Sequence, residues 1–306
     1  APNPQHVPRH MLPKGERVVS YRQLQAIKVA FRRLHRTTVS FSEAEQRLLR
    51  IVEKRLSLRI DWYRVGHRLL SDLAFFRWFL SLLAPRAIFV NCSYGLIPLV
   101  AAARLSRIPV VEMQHGLITP GHPAYNSGLS RDPTFCPAPL LCYGDQEPKW
   151  LRSQHMWSQT RFFPVGSVMI DDLQERMRKG MPERCSERGL LGITLQWTVQ
   201  NETVDFAVRL ASRIPDWDIL LIPRKGIPLP SDLPKRLAPN VDVATDVGFY
   251  DVLPQLDVHA TVYSTTAVEA RAVGKPNLLI DLRGLATQYL GAYFQDDDSS
   301  VYVETL

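Results

Sequence analysis

The stretch Val262-Tyr-Ser-Thr-Thr-Ala-Val-Glu-Ala-Arg-Ala-Val-Gly-Lys-Pro-Asn-Leu-Leu-Ile-Asp281 decides how the whole chain is read. It opens on the end of an apolar run at 258–263 that reads as a buried strand. A short helix follows, Gly274-Lys-Pro276 stops it, and residues 277–282 form another apolar run. Strand, helix, strand is the unit of a parallel sheet. Ser264, Thr265 and Thr266 stand where the helix begins. The first turn of a helix leaves backbone N–H groups free at its positive end, so hydroxyls there suit a phosphate. Ser and Thr are equally ordinary N-caps, and the stretch alone leaves both readings open. Glu269 falls about one turn further, within reach of a sugar hydroxyl beside such a phosphate.

The same texture extends in both directions. Apolar runs at 87–91, 109–113, 140–143 and 161–165 alternate with a helical segment at 96–105 and looser connections. A second series runs through 190–196, 218–222, 241–244, 258–263 and 277–282, with helices at 202–212 and 250–256. Between them a charged helical stretch, 170–179, leads into Gly180-Met-Pro-Glu-Arg184, which reads as a linker. The expectation is an α/β protein with two units in tandem, 1–168 and 169–306, joined near 167–188.

Residues before 86 differ. Residues 1–15 carry four prolines and read as an extended arm, and the absence of an initiator Met suggests a processed or trimmed start. Val18, Tyr21, Leu24, Ile27, Phe31 and Leu34 recur at helical spacing. Ser42 with Glu45 forms a capping-box signature for a second helix, and a third spans about 61–83. Residues 1–60 hold 13 Lys/Arg against 4 Asp/Glu, whereas the chain as a whole carries only +7. Such a basic region is either a solvated face on packed helices or a surface for an anionic membrane. Nucleic acid is not expected, because no RNP or zinc-finger motif is present and aromatics do not interleave with the charges.

With 306 residues, 45% of them hydrophobic, the chain can bury a large core. Cys92, Cys136, Cys142 and Cys185 are scattered, so neither a zinc site nor a disulfide framework is suggested, and a reducing compartment fits. The most apolar segment, 73–83, is too short to span a bilayer.

Ligands bind beyond the carboxyl ends of strands in open α/β sheets. After 109–113 comes Gln114-His-Gly-Leu-Ile-Thr-Pro-Gly-His-Pro-Ala-Tyr125, crowding His115, His122 and Tyr125 into one loop. His115 directly follows the strand and is a candidate general base, with Gly116 allowing close approach. A hydrogen-bonded core histidine is the competing reading. His122 is a second candidate, and Glu112 a third, set by alternation on the other face from Gln114. After 218–222 comes Pro223-Arg-Lys-Gly226, where Arg224 and Lys225 suit a diphosphate as well as they suit a surface turn. Gly166, after 161–165, permits close approach of a nucleotide or simply turns the chain. Residues 245–251 are placed to touch a base or ribose.

In this order and spacing, Gln114-His-Gly with His122-Pro and Tyr125, Tyr143-Gly, Val165-Gly-Ser, and Ser264-Thr-Thr with Glu269-Ala and Gly274-Lys-Pro resemble GT-B glycosyltransferases. The resemblance is to those of bacterial surface-polysaccharide assembly (capsule and O-antigen), with polysialyltransferase-like and CDP-glycerol glycerophosphotransferase-like enzymes and UDP-GlcNAc 2-epimerase as broader kin. It covers about 86–285 and rests on the set of motifs, none of which is specific alone. It implies two Rossmann-like domains facing a cleft, with the N-terminal domain reduced or preceded by helices. The second domain would hold a nucleotide-sugar donor, and the first a glycan or glycolipid acceptor. Ser264, Thr265 and Thr266 would meet donor phosphate, Glu269 a ribose or sugar hydroxyl, and His115 the acceptor proton or the phosphate. No cofactor or metal is implied. The place would be cytoplasmic, on the inner face of the membrane if the basic region meets lipid.

Two features depart from those relatives. A His-Pro pair expected after the second strand of the donor domain is replaced by Ile222-Pro-Arg-Lys225. The first strands of the N-terminal Rossmann domain are missing before residue 86. The rival readings are a sugar-nucleotide epimerase on the same fold and a non-catalytic scaffold.

Overall fold

Short apolar runs divided by helices resolve into two parallel sheets in a computed structural model that describes residues 21–35, 37–126, 132–154, 157–180, 187–245, 247–295 and 297–304. The first sheet holds β1 (Ile88–Val90), β2 (Val110–Met113), β3 (Leu140–Cys142) and β4 (Phe162–Pro164) in sequential order, all parallel. The second holds β5 (Gly189–Thr194), β6 (Trp217–Ile222), β7 (Val241–Val243), β8 (Val258–Thr261), β9 (Asn277–Ile280) and β10 (Ser300–Val303), in the order β10-β9-β8-β5-β6-β7. β5 therefore lies between β6 and β8, with Ile193 paired to Leu221 on one side and to Ala260 on the other. The strand order reverses there, which opens a crevice at the carboxyl ends of β5 and β8.

Alternation along β5 and β6 sends successive side chains into two cores. Ile193, Ile219 and Leu221 pack under Val204, Phe206 and Leu210 of α7 (Gln200–Arg213). Ile222 on the other face meets Leu253, Leu256 and Leu173. Leu173 belongs to α6 (Val168–Arg178), so this helix packs on the second sheet although it follows the last strand of the first.

Three helices precede β1: α1 (Tyr21–Leu34), α2 (Glu43–Leu56) and α3 (Trp62–Leu83). Phe75, Phe76 and Leu80 of α3 bury against Val100 and Ala103 of α4 (Ile97–Leu105) and against Val90 and Val110 of the sheet. Asp72 of α3 anchors α1 by accepting from Lys28 Nζ at 3.1 Å and Arg32 Nε at 2.9 Å. α2 begins with the expected capping box: Glu45 N donates to Ser42 Oγ, and Ser42 N donates to Glu45 Oε2. No residue of α2 is buried.

The expected arm at 1–15, the first turn of the first helix, the linker residues 181–184 and Cys185 lie outside the described residues. Four shorter elements were not evident from apolar spacing: α5 (Gln146–Leu151), α8 (Leu233–Arg236), α11 (Leu285–Phe294) and β10. A further short helix, α9 (Phe249–Val252), and α10 (Thr266–Ala272) complete the second unit.

α11 reaches from the second unit to the first. Tyr293 donates its hydroxyl to Glu147 Oε1 of α5 at 2.6 Å, and Gln146 Nε2 donates to Ala292 O at 2.6 Å. Leu117 packs into the apolar cluster of Ala286, Leu290 and Tyr293. Gly121 lies so near Gln288 that a Cβ there would overlap its carbonyl oxygen.

Candidate functional site

The carboxyl ends of both sheets open onto one cleft of about 1360 Å³. His115, Gly116 and His122 line it from the first unit. Arg224, Lys225, Ser264, Thr265 and Thr266 line it from the second. Seven of the ten candidate site residues thus meet in one space, although 149 positions separate His115 from Ser264 in the chain. A Cβ on Gly116 would lie 3.9 Å from Thr265 Oγ1, so the two loops almost touch.

On the first side, the cleft wall is held by buried polar groups. Gln114 Nε2 donates to Gly116 O and to Glu147 Oε1, both at 2.9 Å, and Gln114 Oε1 accepts from Tyr143 N at 2.7 Å. Gln114 therefore ties the ends of β2 and β3 together and leaves the exposed His115 projecting from a fixed backbone. His122 Nδ1 accepts from Ala124 N at 3.3 Å, so the neutral ring carries its proton on Nε2 and offers the cleft a donor. Burial, with the nearby His115 adding to it, holds the pKa of His122 below its ordinary value. Tyr125 packs edge-on against the His122 ring, and Tyr94 lies tilted against both histidines.

Glu112 is placed differently from its expectation. It is fully buried and does not line the cleft. Its Oε1 accepts from Tyr125 Oη at 2.7 Å and from Ser93 N at 3.1 Å. Residues two apart on a strand share a face, so Glu112 lies on the same side of β2 as Gln114, not on the opposite side as expected, and points into the protein below Tyr125. It anchors the loop through Tyr125 and Ser93.

On the second side, Thr265 makes no side-chain cap bond, while Ser264 Oγ accepts weakly from Thr266 N at 3.3 Å. A hydrogen-bond chain runs inward from Thr266. Asn277 Nδ2 donates to Ala267 O, so Asn277 Oδ1 faces His259 Nδ1 at 2.7 Å and His259 donates from that nitrogen. His259 is fully buried, and burial pulls its pKa down to about 4, so Nε2 is a bare acceptor. Thr194 Oγ1 donates to it at 3.1 Å. The only proton left for the 2.9 Å contact between Thr194 and Thr266 is that of Thr266. Thr266 thus shows the cleft lone pairs, which match a ligand hydroxyl or N–H.

Glu269 and Gly166 are separated from the others. They line a second cavity of about 430 Å³ on the far side of α10, together with Tyr143 and Arg271. Helical spacing is the cause: Thr265, Val268, Glu269 and Ala272 share that face of α10, while Thr266 turns toward the cleft. Thr265 borders both spaces. Tyr250, which lines the main cleft, donates to Glu269 Oε1 at 2.9 Å and links the two. Burial raises the pKa of Glu269.

Several cleft residues were not singled out by sequence. Thr194 ends β5 and Gln196 follows it at the strand-order reversal, where Gln196 Oε1 accepts from Tyr263 N at 2.8 Å. The rule that strand ends carry ligands would have found them. Glu147 and Tyr293 had no such signal, since only the tertiary fold joins them. Thr245 and residues 247–251 line the cleft as expected of the segment after β7, in which Asp246 lies outside the described residues.

No protein-family model and no curated protein sequence matches the chain. Solved structures match in fold. The calicheamicin glycosyltransferase CalG4 aligns with a TM-score of 0.52 at 16% identity, over 87% of this chain and 69% of that one. S. aureus MnaA, solved with UDP, aligns with a TM-score of 0.50 at 12% identity, over 76% and 73%. UDP-GlcNAc 2-epimerase from Neisseria meningitidis, bound to UDP-GlcNAc, gives 0.49 at 15% identity, over 83% and 78%. The fold is that of GT-B glycosyltransferases, two Rossmann-like domains across a cleft.

Proposed function

We propose that the protein transfers a sugar from a nucleotide-activated donor to a glycan or glycolipid hydroxyl, within surface-polysaccharide synthesis. One observation carries the reading: a histidine from one domain faces hydroxyls and two cations of the other across a single cleft. The donor diphosphate lies against Arg224, Lys225 and the Ser264–Thr265 hydroxyls. The base lies near the aromatic Phe249 and Tyr250 after β7, and Thr266 accepts from a ribose or sugar hydroxyl. His115 takes the proton of the acceptor hydroxyl. The freed oxygen forms a bond to the anomeric carbon, and the bond from that carbon to phosphate oxygen breaks. The electron pair leaves with the nucleotide, whose growing charge Arg224 and Lys225 offset.

The test is a thermal-shift series with UDP, CMP, GDP and ADP, followed by transfer assays with sugars of the nucleotide that binds. One nucleotide is expected to raise the melting temperature. His115→Ala is expected to keep that shift and lose roughly 10²-fold or more in transfer rate. Full transfer by His115→Ala would remove it as base. Sugar inversion without any acceptor would identify an epimerase, and binding of no nucleotide a scaffold.

A further inference from the structure

α2 is amphipathic, yet its apolar side faces outward. Leu48, Ile51, Val52 and Leu56 fall on one arc of the helix and all are exposed. The half-buried residues of α2 are Gln46, Leu49 and Glu53, on the adjoining side. Leu58 and the first turns of α3 leave further apolar side chains exposed nearby in sequence: Tyr63, Val65, Leu69 and Leu70. Soluble proteins rarely leave a whole apolar helix face to water without a use for it.

The charge around this surface selects the occupant. Arg47, Arg50, Lys54 and Arg55 lie on α2, and Arg59, Arg64 and Arg68 follow, against Glu43, Glu45, Glu53 and Asp61. α1 adds the exposed Arg33, whereas its Lys28 and Arg32 are engaged by Asp72. A second copy placed on this face would bring cations against cations. A bilayer with anionic headgroups accepts both features: the apolar arc enters the headgroup boundary and the cations remain among the lipid phosphates. No helix among the described residues is long and apolar enough to cross a membrane, so such contact lies along the surface.

We infer that the exposed apolar face of α2, with the cations around it, docks on an anionic lipid bilayer. This narrows the basic surface from residues 1–60 as a whole to a helical face with its own apolar stripe. It is independent of the proposed transfer, because the face lies outside the cleft and needs no nucleotide.

Flotation of the full chain with vesicles tests it, using phosphatidylcholine alone and phosphatidylcholine mixed with phosphatidylglycerol. The chain should float with the anionic vesicles only, and less as salt rises. Leu48→Glu combined with Ile51→Glu should weaken binding by more than about tenfold. Arg47→Gln, Arg50→Gln and Lys54→Gln should each weaken it about fivefold. The charge variants alter exposed side chains and keep the test valid should the Leu48/Ile51 variant fail to fold. Absence of flotation with anionic vesicles overturns the inference, as does flotation unchanged in the charge variants. Light scattering without lipid that shows a dimer, dissolved by the Leu48/Ile51 variant, overturns it in favour of a second copy.

Discussion

Tyr293 of the second domain donates its hydroxyl to Glu147 of the first at 2.6 Å, and the same carboxylate oxygen holds Gln114, the residue before His115. Burial, then the Glu147 charge, raises the Tyr293 pKa, so the phenol stays a donor at all working pH values. Tyr293→Phe keeps the ring in its apolar cluster and removes one bond to a buried carboxylate. It should cost about 1–3 kcal/mol by denaturant melting. It should also weaken nucleotide binding, because the closed arrangement loses a link. Unchanged stability would show that the hydroxyl does not hold the domains together.

Gly121 is the place where the His-containing loop meets the backbone of α11. Gly121→Ala puts a methyl group onto a carbonyl oxygen, which neither backbone can yield cheaply. A loss of about 1–3 kcal/mol is expected, with weaker ligand binding. Gly291→Ala is the control on the same helix: nothing lies within 4 Å of its Cβ position, and Ala should be neutral or stabilising there by about 0.5–1 kcal/mol. Equal behaviour of the two variants would contradict the close approach.

His259 is held neutral by burial, with a pKa near 4 in the folded chain against an ordinary 6.5. Between those values the unfolded chain binds the proton and the folded one does not. Stability from this group is therefore present above pH 6.5 and is lost as pH falls toward 4. Nitrogen-15 NMR should show His259 as the Nδ1-protonated neutral ring across that window. Proton residence on Nε2 would reverse the hydrogen-bond chain and turn Thr266 back into a donor suited to phosphate.

Glu269 shifts the other way, because burial raises its pKa from 4.5. A carboxyl with a raised folded pKa stabilises the fold while protonated. That contribution is complete below 4.5 and is lost as pH rises through the folded value. Relative to Glu269→Gln, the natural chain should therefore lose stability as pH climbs above 4.5. Parallel melting curves over the acid range, with a constant gap between the two proteins, would refute this.

The opening stretch around Ser264 was legible because it packs strand, hydroxyls, helix and stop into twenty residues, all governed by local rules. The tandem sheets followed from repetition of that pattern, and the helices before residue 86 from their spacing. Most of the cleft-facing residues were found where a strand end preceded them, but Thr194 and Gln196 at the end of β5 were passed over. What depends on the packed protein was not legible in this way. Glu112 and Glu269 were assigned by position along a strand or helix, but which face meets the cleft depends on how each element is rotated in the packed protein. Thr266 was read by residue type, whereas its proton is committed by Thr194, His259 and Asn277, three residues from other strands. Glu147 and Tyr293 lie 146 positions apart, and nothing local in either marks the pair.

The bridge made by α11 also sets an order of events during synthesis. Gln114, His115 and Glu147 leave the ribosome well before residues 285–294 exist. A nascent first domain can assemble its four strands, but Glu147 must wait, hydrated, for its phenolic partner. Ligand-competent geometry is then a property acquired late, when the final helix of the described residues folds back onto α5 and the loop after β2. Stalling synthesis just before and just after residue 294 would separate chains that have the strands from chains that have the cleft.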